Sequence, residues 1–403
     1  MIGSAIRRLL AMMLTLASAG VSAEEIDWSG YVSLEPRVFV DQPLFSEQPG
    51  AGVFASAVLA PELRYEWNRG DDRLTLAPYL RWDADDDQRT HLDLREALWL
   101  RVRGPWTWQI GLGRVFWGVT ESRHLVDIIN QTDFVEDIDE EDKLGQPMIA
   151  LERWTRNAGS FGVFLLPGFR ERTFPAADAR LRGTLPIDTD RAEYESAAND
   201  RRLDWALRWS QVIGNWDLGL SGFYGTSREP RLLPRFDAPT GLVLIQRYDV
   251  IGQLGVDLQY TQDAWLWKLE AIGRRGHGST FAAVVAGLEY TLFDIGGSGA
   301  DLGLLAEYLY DDRDETAPPT IYDDDWFGGF RLALNDTEDT AVLAGAVFDT
   351  NGMFAILEAE RRVGESWKFE AEVRWFLNVD PGDPLLGGFR NDSFITLRLA
   401  RYL

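Results

Sequence analysis

The sequence lacks cysteine and is poor in the residues on which most catalytic and metal sites depend. No thiol occurs among its 403 residues, which suits export to an oxidising periplasm. Its three histidines, His91, His124 and His277, lie far apart and outside any nucleophile motif. We therefore predict that the protein is not an enzyme, and we expect neither a cofactor nor a metal site.

Long apolar runs are also absent, apart from a short one at the N-terminus. Beyond it, no stretch reaches the roughly 18 consecutive apolar residues that a membrane-spanning helix needs. At the N-terminus, Arg7 and Arg8 precede the apolar run 9–17, and the small residues 21–23 offer a cleavage site. Residues 1–23 are thus predicted to be a secretory signal peptide, which leaves 24–403 as the exported chain.

The exported chain alternates between apolar and polar residues over long segments. Between residues 366 and 378 the odd positions are aromatic or aliphatic, and the even positions are mainly charged. The same alternation occurs in 91–101, 202–209 and 265–274. Because alternate side chains of a strand point to opposite faces, each segment has one apolar and one charged face. Segments of about 10 to 14 residues suit tilted membrane strands better than the shorter strands of soluble sheets.

The connections between these segments alternate in length. Short turns occur at 104–105, 214–215 and 364–365, whereas 118–146 and 170–200 are long and polar. Short turns on one side and long loops on the other are typical of outer-membrane barrels. We predict an all-β fold, a transmembrane, antiparallel, up-and-down β-barrel of about 18 strands, with 16 as the alternative.

Aromatic residues follow several of the short turns closely. Trp106, Trp216, Trp265 and Trp367 each lie one or two residues after a predicted turn. Amphipathic rings gather at the boundary between membrane and water. These tryptophans are therefore predicted to form an aromatic girdle.

The charged faces are predicted to line the lumen, because a basic side chain facing lipid costs about 2–4 kcal/mol near the membrane centre. A barrel of this size is wide enough to hold water. Nearly all basic residues are arginine, whose planar fork binds carboxylates. They would either recognise acidic solutes or pair with carboxylates of the lumen itself. The candidate solute-binding residues are Arg64, Arg81, Arg95, Arg101, Arg103, Arg208, Lys268, Arg274, Arg374 and Arg398.

Segment 118–146 is too long for a plain connection. Its residues 124–129 could form a short helical turn inside the barrel mouth, with His124, Asp127 and Asp133 at a constriction. The acidic run that follows lacks the fixed spacing and central glycine of a calcium loop. It is interpreted as a solvated acidic loop.

Two consecutive segments resemble a known family. The sequence HLDLREALWL at 91–100, followed by QIGLGRVFWG at 109–118, is similar to paired strands of alginate-export-like outer-membrane channels. The resemblance implies about eighteen strands and an arginine-rich lumen that passes an acidic polysaccharide. It implicates Arg95 and adds Arg114 to the lumen candidates. Simple alternation places Arg114 outward, so a bulge or a position above the lipid is required.

These observations favour an outer-membrane channel for passive or facilitated passage of polar solutes, acidic ones among them. The alternative is a structural or adhesive barrel whose lumen is closed by ion pairs and loops. Expected partners are outer-membrane lipid, lipopolysaccharide, a polar solute and the barrel-assembly machinery, which reads a final strand such as 394–403. A net charge of -24 argues against nucleic acid.

Overall fold

The computed structural model describes residues 25–237, 241–350, 352–383 and 385–403, and nearly all its regular structure is β-strand. The predicted signal peptide, 1–23, lies outside the described residues. In this part of the chain, no helix is long and apolar enough to cross a membrane.

Eighteen of the described strands form one antiparallel barrel, as the alternation predicts. Since the first strand pairs with the second and with the last, the sheet closes on itself. The barrel strands are β1 (Glu25–Phe39), β2 (Gly52–Trp67), β3 (Asp72–Asp83), β4 (His91–Arg103), β5 (Trp106–Gly113), β6 (Gln146–Thr155), β7 (Gly159–Pro167), β9 (Leu203–Ile213), β10 (Trp216–Thr226), β13 (Val250–Gln262), β14 (Trp265–Arg275), β15 (Phe281–Leu292), β16 (Asp301–Asp311), β17 (Asp324–Ala333), β18 (Ala341–Asp349), β19 (Gly352–Val363), β20 (Trp367–Leu377) and β21 (Phe394–Tyr402).

A small three-stranded sheet lies apart from the barrel sheet. Its members are β8 (Ile187–Tyr194), β11 (Arg231–Asp237) and β12 (Gly241–Tyr248). Strand β12 pairs antiparallel with β11 and parallel with β8. Strand β8 lies within 170–200, which was predicted to be a long polar loop. Its residues Asp188-Thr189-Asp190-Arg191 have no apolar face from which a strand can be recognised.

Most short connections lie at the barrel end that holds the start of β1 and the end of β21, the periplasmic end in outer-membrane barrels. Trp106, Trp216, Trp265 and Trp367 are the first residues of their strands there, and their outward side chains are about two-fifths exposed. A second set of exposed tryptophans lies near the outer end: Trp82, Trp205, Trp326 and Trp375. Two aromatic girdles therefore border the apolar outer surface.

One irregularity reverses the inward and outward faces of a strand. The pairing of β3 with β4 shifts by one residue at Arg95, which leaves a bulge. Beyond the bulge, Arg101 lies opposite Trp108 and Arg103 opposite Trp106, and both tryptophans point outward. The prediction that Arg101 and Arg103 line the lumen is therefore wrong, because it assumed uninterrupted alternation along β4.

The barrel interior is apolar along much of its wall, contrary to the predicted charged lining. Inward apolar side chains from β4 to β18 pack against the inner segment, defined here as residues 114–145. Within it, Val126 and Ile129 are fully buried. Burying such a side chain contributes roughly 1.5–3 kcal/mol. The wall residues of this core include Leu98, Met148, Phe164, Phe223, Ile251, Ile272, Phe281, Leu305, Leu309 and Phe327.

Residues 168–202 connect to two other outer loops. Arg180 pairs with Asp392 at 2.5 Å, and Arg182 pairs with Glu47. Both arginine side chains are almost fully buried, which strengthens their attraction to the carboxylates. These contacts join loops that are distant in sequence at the outer end of the barrel.

Candidate functional site

The inner segment, which leaves the wall after β5, is fixed by Glu270 of β14. Glu270 is fully buried, and its carboxylate accepts hydrogen bonds from the backbone N–H groups of Val119, Thr120 and Val126 at 2.7–3.1 Å. The Thr120 hydroxyl donates to it at 2.8 Å. Since hydrogen bonds to an ionised acceptor are stronger than neutral ones, Glu270 is a principal anchor of the segment.

A second anchor lies two strands away on β16. The carboxylate of Glu307 accepts hydrogen bonds from the backbone N–H groups of Glu121 and Ser122, each at 2.8 Å. The next residue, Arg123, forms an ion pair at 3.2 Å with Asp311, the last residue of the same strand. The segment is therefore held to the wall by charged contacts as well as by apolar packing.

His124 connects the segment to itself and to the wall. Its Nε2 lies 3.3 Å from a carboxylate oxygen of Glu141, and its Nδ1 lies 3.7 Å from one of Glu270. Burial disfavours the imidazolium ion, but the two carboxylates outweigh burial and raise the pKa of His124 to about 10. His124 is therefore protonated near neutral pH.

The raised pKa of His124 predicts a loss of stability at alkaline pH. A group whose pKa is higher in the folded state stabilises it fully below the unfolded pKa, near 6.5, and the contribution disappears as the pH rises to about 10. We expect the denaturant midpoint of the refolded barrel to fall between pH 7 and pH 10.

The matched variant is His124→Gln, which should remove most of this decrease. Burial and the nearby Glu136 and Asp137 raise the pKa of Asp142 to about 7. The loss of stability that accompanies ionisation of Asp142 is therefore largely complete by pH 7. An equal decrease in wild type and variant would contradict the assignment to His124.

Residues 131–144 fold back on themselves inside the barrel. The backbone N–H of Asp133 donates to the carbonyl of Asp142 at 2.8 Å. The Asp133 carboxylate is fully buried, pairs with Arg95 and accepts a hydrogen bond from the Thr173 hydroxyl at 2.6 Å. Arg95 lies on the inner face at the bulge in β4, where it makes this contact.

The tip of this fold is bound by arginines of the wall. Arg374 of β20 is 2% exposed and contacts Asp139 at 2.7 Å and Asp137 at 3.7 Å. Arg81 of β3 contacts Glu136 at 2.6 Å. Burial disfavours the Glu136 carboxylate ion, but Arg81, Arg89 and Arg95 together outweigh burial and lower the pKa of Glu136 to about 2. Glu136 is thus held as an ionised, paired carboxylate.

Residues 134–142, called the partition here, separate two cavities. The outer chamber has a volume of about 490 Å³ and is contacted by Phe134, Ile138 and Glu140 of the partition. The inner chamber, about 810 Å³, extends toward the periplasmic end. On that side the partition contributes four carboxylates: Glu136, Asp137, Asp139 and Asp142. One face of the partition therefore borders the largely apolar outer chamber, and its other face borders the charged inner chamber.

The inner chamber is bordered by β1–β3 and β17–β21, the part of the wall that the apolar core leaves largely uncovered. Its arginines are Arg37, Arg81, Arg89, Arg95, Arg114, Arg331, Arg374 and Arg398. Its carboxylates are Glu35, Glu62, Glu136, Asp137, Asp139, Asp142, Glu358, Glu360, Glu370 and Glu372. Charges of both signs thus line a water-accessible cavity.

Most predicted lumen residues point inward and are paired. Arg81, Arg95, Arg374 and Arg398 border the inner chamber. The other inward residues and their partners are Arg64 with Glu62 (3.1 Å), Arg208 with Asp257 (2.5 Å), Lys268 with Glu121 (3.5 Å) and Arg274 with Glu229 (3.0 Å). Such pairing matches the alternative in which lumen arginines neutralise the protein's own carboxylates.

The three residues assigned to a constriction all lie inside the barrel. His124, Asp127 and Asp133 all belong to the inner segment, where Asp127 lies 3.5 Å from Lys143. Residues 124–129 do not form the predicted helical turn. Residues 124–127 instead form one isolated hydrogen-bonded turn. Arg114 borders the inner chamber because β5 ends at Gly113 and the chain then leaves the wall.

Several functional residues escaped the sequence analysis, notably the anchors Glu270 and Glu307. A usable signal exists for Glu307, since it lies between the apolar residues Leu305 and Leu309 on the inward face of β16. A buried charge in such a place needs a partner. In this protein, the backbone of the inner segment supplies it.

Comparison with known proteins bears on the fold. No protein-family model and no curated protein matches the sequence. The chain is similar in structure to a BenF-like porin from Pseudomonas fluorescens Pf-5, with a TM-score of 0.53 and 10% identity over 96% of this chain and 99% of that one. OpdQ of Pseudomonas aeruginosa is also similar, with a TM-score of 0.52 and 11% identity over 95% of this chain and 99% of that one. The fold is that of an outer-membrane porin-like barrel.

A further structural neighbour has a different described role. Wzi of Escherichia coli, described as a carbohydrate-binding β-barrel involved in capsule assembly, gives a TM-score of 0.51 and 9% identity over 92% of this chain and 84% of that one. At such identities the similarity establishes the barrel architecture alone. The narrower resemblance to alginate-export-like channels stays a prediction.

Proposed function

We propose that the protein is an outer-membrane channel for polar solutes, acidic ones among them, and that the partition controls passage. The observation that carries the proposal is the pair of cavities on opposite faces of residues 134–142. A short segment held by ion pairs can move without unfolding the barrel around it. Displacement of the partition would join the two chambers into one path.

Two arginines support the inclusion of acidic solutes. Arg37 and Arg114 both border the inner chamber, and within the described residues neither has a carboxylate oxygen within 4 Å, unlike Arg81 or Arg374. Arg37 lies over the ring of Phe394 and donates to the Thr396 hydroxyl at 3.1 Å. A guanidinium without a carboxylate partner can bind the carboxylate of a solute.

Conductance of the refolded barrel in a planar bilayer under a salt gradient tests this function. We expect discrete open steps and a preference for anions over cations. The double variant Arg37→Gln/Arg114→Gln should lower the anion-to-cation permeability ratio by at least about fivefold, since each charge at contact distance in water is worth about 1 kcal/mol.

The control is Arg275→Gln, which removes one positive charge at an exposed position on β14 that alternates with the inward Arg274. It should leave the permeability ratio unchanged. A ratio equally altered by the control would assign selectivity to overall charge and would remove the argument for a binding role of Arg37 and Arg114.

A structural or adhesive barrel is the second candidate, and it is favoured by the apolar core inside the lumen. Val126 and Ile129 are buried as completely as residues of a soluble protein core. A folded barrel that never conducts, even after the partition is released, would support this function over a channel.

The proposed partners follow from the surfaces. The two aromatic girdles suit contact with outer-membrane lipid. The acidic outer loops would approach lipopolysaccharide through divalent ions. The alternating final strand β21 would be the element read by the barrel-assembly machinery. Cleavage of the predicted signal peptide 1–23 would precede assembly.

A further inference from the structure

Three carboxylates converge at the outer rim, beside the ends of β17 and β18. One carboxylate oxygen from each of Asp323, Asp325 and Asp349 lies within 4.8 Å of the other two. Trp326 pairs with Phe348 across the two strands, so Asp325 and Asp349 occupy the next position toward the outer end. Asp323 comes from the loop that precedes β17.

Asp325 is the buried member of this group, called the rim triad here. Its exposed fraction is 0%, and its Oδ1 has no hydrogen-bond partner. Its Oδ2 accepts one hydrogen bond, from the backbone N–H of Asp323 at 3.0 Å. A buried carboxylate oxygen without a partner is costly, and each such atom in a native structure requires an explanation.

No basic side chain neutralises the rim triad. The nearby Asp311 is paired with Arg123 at 3.2 Å and with Arg313 at 2.6 Å. Within the described residues, no lysine, arginine or histidine nitrogen comes within 4 Å of the three triad carboxylates. Three acidic groups therefore share a small volume without a counter-charge supplied by the chain.

We propose that the rim triad binds one hard divalent cation of the Ca²⁺ class. Such ions take six to eight oxygen ligands, with carboxylates preferred, and complete the shell with water. The unpartnered Oδ1 of Asp325 would then have a ligand role, and the exposed Asp323 would leave the site open to solvent. The bound ion would fasten the loop 312–323 to the end of β18.

A second group of possible ligands gives a useful contrast. His91, Asp133 and Glu136 also lie within 4.8 Å of one another. However, Arg95 pairs with Asp133, and Arg81 contacts Glu136 at 2.6 Å, so the positive charge is already present. The rim triad is the group in which the chain leaves the charge unmatched.

The test is a calorimetric titration of the chelator-treated, refolded full chain with CaCl₂ in non-ionic detergent. We expect one saturable site in the wild type and at least tenfold weaker binding in Asp325→Asn. The control Asp324→Asn changes an exposed neighbour that accepts a hydrogen bond from the Tyr308 hydroxyl, and it should bind like the wild type.

Thermal unfolding provides an independent measurement. Ca²⁺ should raise the midpoint of the wild type and leave that of Asp325→Asn unchanged. Without Ca²⁺ the variant should be more stable than the wild type, because it relieves repulsion among the three carboxylates. If Asp325→Asn does not fold, Asp349→Asn is measured in its place.

Two results would overturn the proposal. One is the absence of saturable binding in the wild type. The other is equal weakening in Asp324→Asn and Asp325→Asn, which would mean that Ca²⁺ binds diffusely to the acidic surface. Both results leave the channel function untouched, since the rim triad lies outside the residues that border the two chambers.

Discussion

Replacing Arg374 with glutamine is expected to open the path between the two chambers. Arg374 is almost fully buried and holds Asp137 and Asp139 of the partition, together with Glu358 at 2.9 Å. Loss of one partner from a buried ion pair costs about 3–5 kcal/mol. The freed carboxylates would be better solvated in an open arrangement, so the closed state should be disfavoured by about a hundredfold or more.

Single-channel recording measures this effect as an increase in open probability. Arg362→Gln is the matched control, because it removes an arginine of the adjacent strand whose ion pair with Asp339 is largely exposed. Because exposed ion pairs are weak, loss of the Arg362–Asp339 pair should leave the open probability unchanged. An unchanged open probability in Arg374→Gln, with the barrel folded as judged by gel mobility, would exclude residues 134–142 as the gate.

Replacing Glu270 with alanine is expected to release the inner segment from the wall. The substitution leaves the buried backbone N–H groups of Val119, Thr120 and Val126 without their acceptor. Each unsatisfied buried group costs about 1–3 kcal/mol. We expect a large loss of stability within the inner segment and rapid tryptic cleavage after Arg123, whose side chain is only 15% exposed in the wild type.

Mass spectrometry of the tryptic fragments gives the site and rate of cleavage. Glu270→Gln keeps an acceptor oxygen and should be cleaved at an intermediate rate. Glu289→Ala removes an inward carboxylate of the next strand, β15, nearer the periplasmic end, and should behave like the wild type. Slow cleavage in Glu270→Ala would show that apolar packing alone holds the segment.

Alternation was sufficient to predict the barrel, because every membrane strand repeats the same distinction between lipid and interior. The outward positions of Trp367 and Trp375 on β20, and the inward position of Arg374, follow directly from their spacing. The aromatic residues after short turns were equally informative, since turns and girdles occupy fixed heights in the membrane. These features depend only on neighbours along the chain.

What alternation could not reveal depends on contacts between distant segments. The bulge at Arg95 involves one extra residue, which no local pattern marks, yet it moves Arg101 and Arg103 to the outer face. Likewise, Phe223 and Ile272 point inward because the inner segment covers them. In the sequence, an apolar residue that packs against the inner segment cannot be distinguished from one that faces lipid.

The candidate site was predicted in part for the same reason. His124, Asp127 and Asp133 stood out because they lie in an unusually long connection. The partners that give them a role, Glu270 and Arg95, lie on strands far away in sequence. The length of this connection indicated a functional segment. Its contacts could not be predicted, because they form only when the barrel closes.

The seam of the barrel has a consequence for the order of assembly. Arg37 of β1 bonds to Thr396 of β21, a residue 359 positions away, so this pairing closes the longest loop of the sheet. We expect it to form after the local hairpins. The inner faces of both seam strands border the water-accessible inner chamber, through residues such as Glu35 and Arg398. An intermediate with an open seam would therefore expose polar groups at its gap, while the apolar core on the opposite side could already be packed.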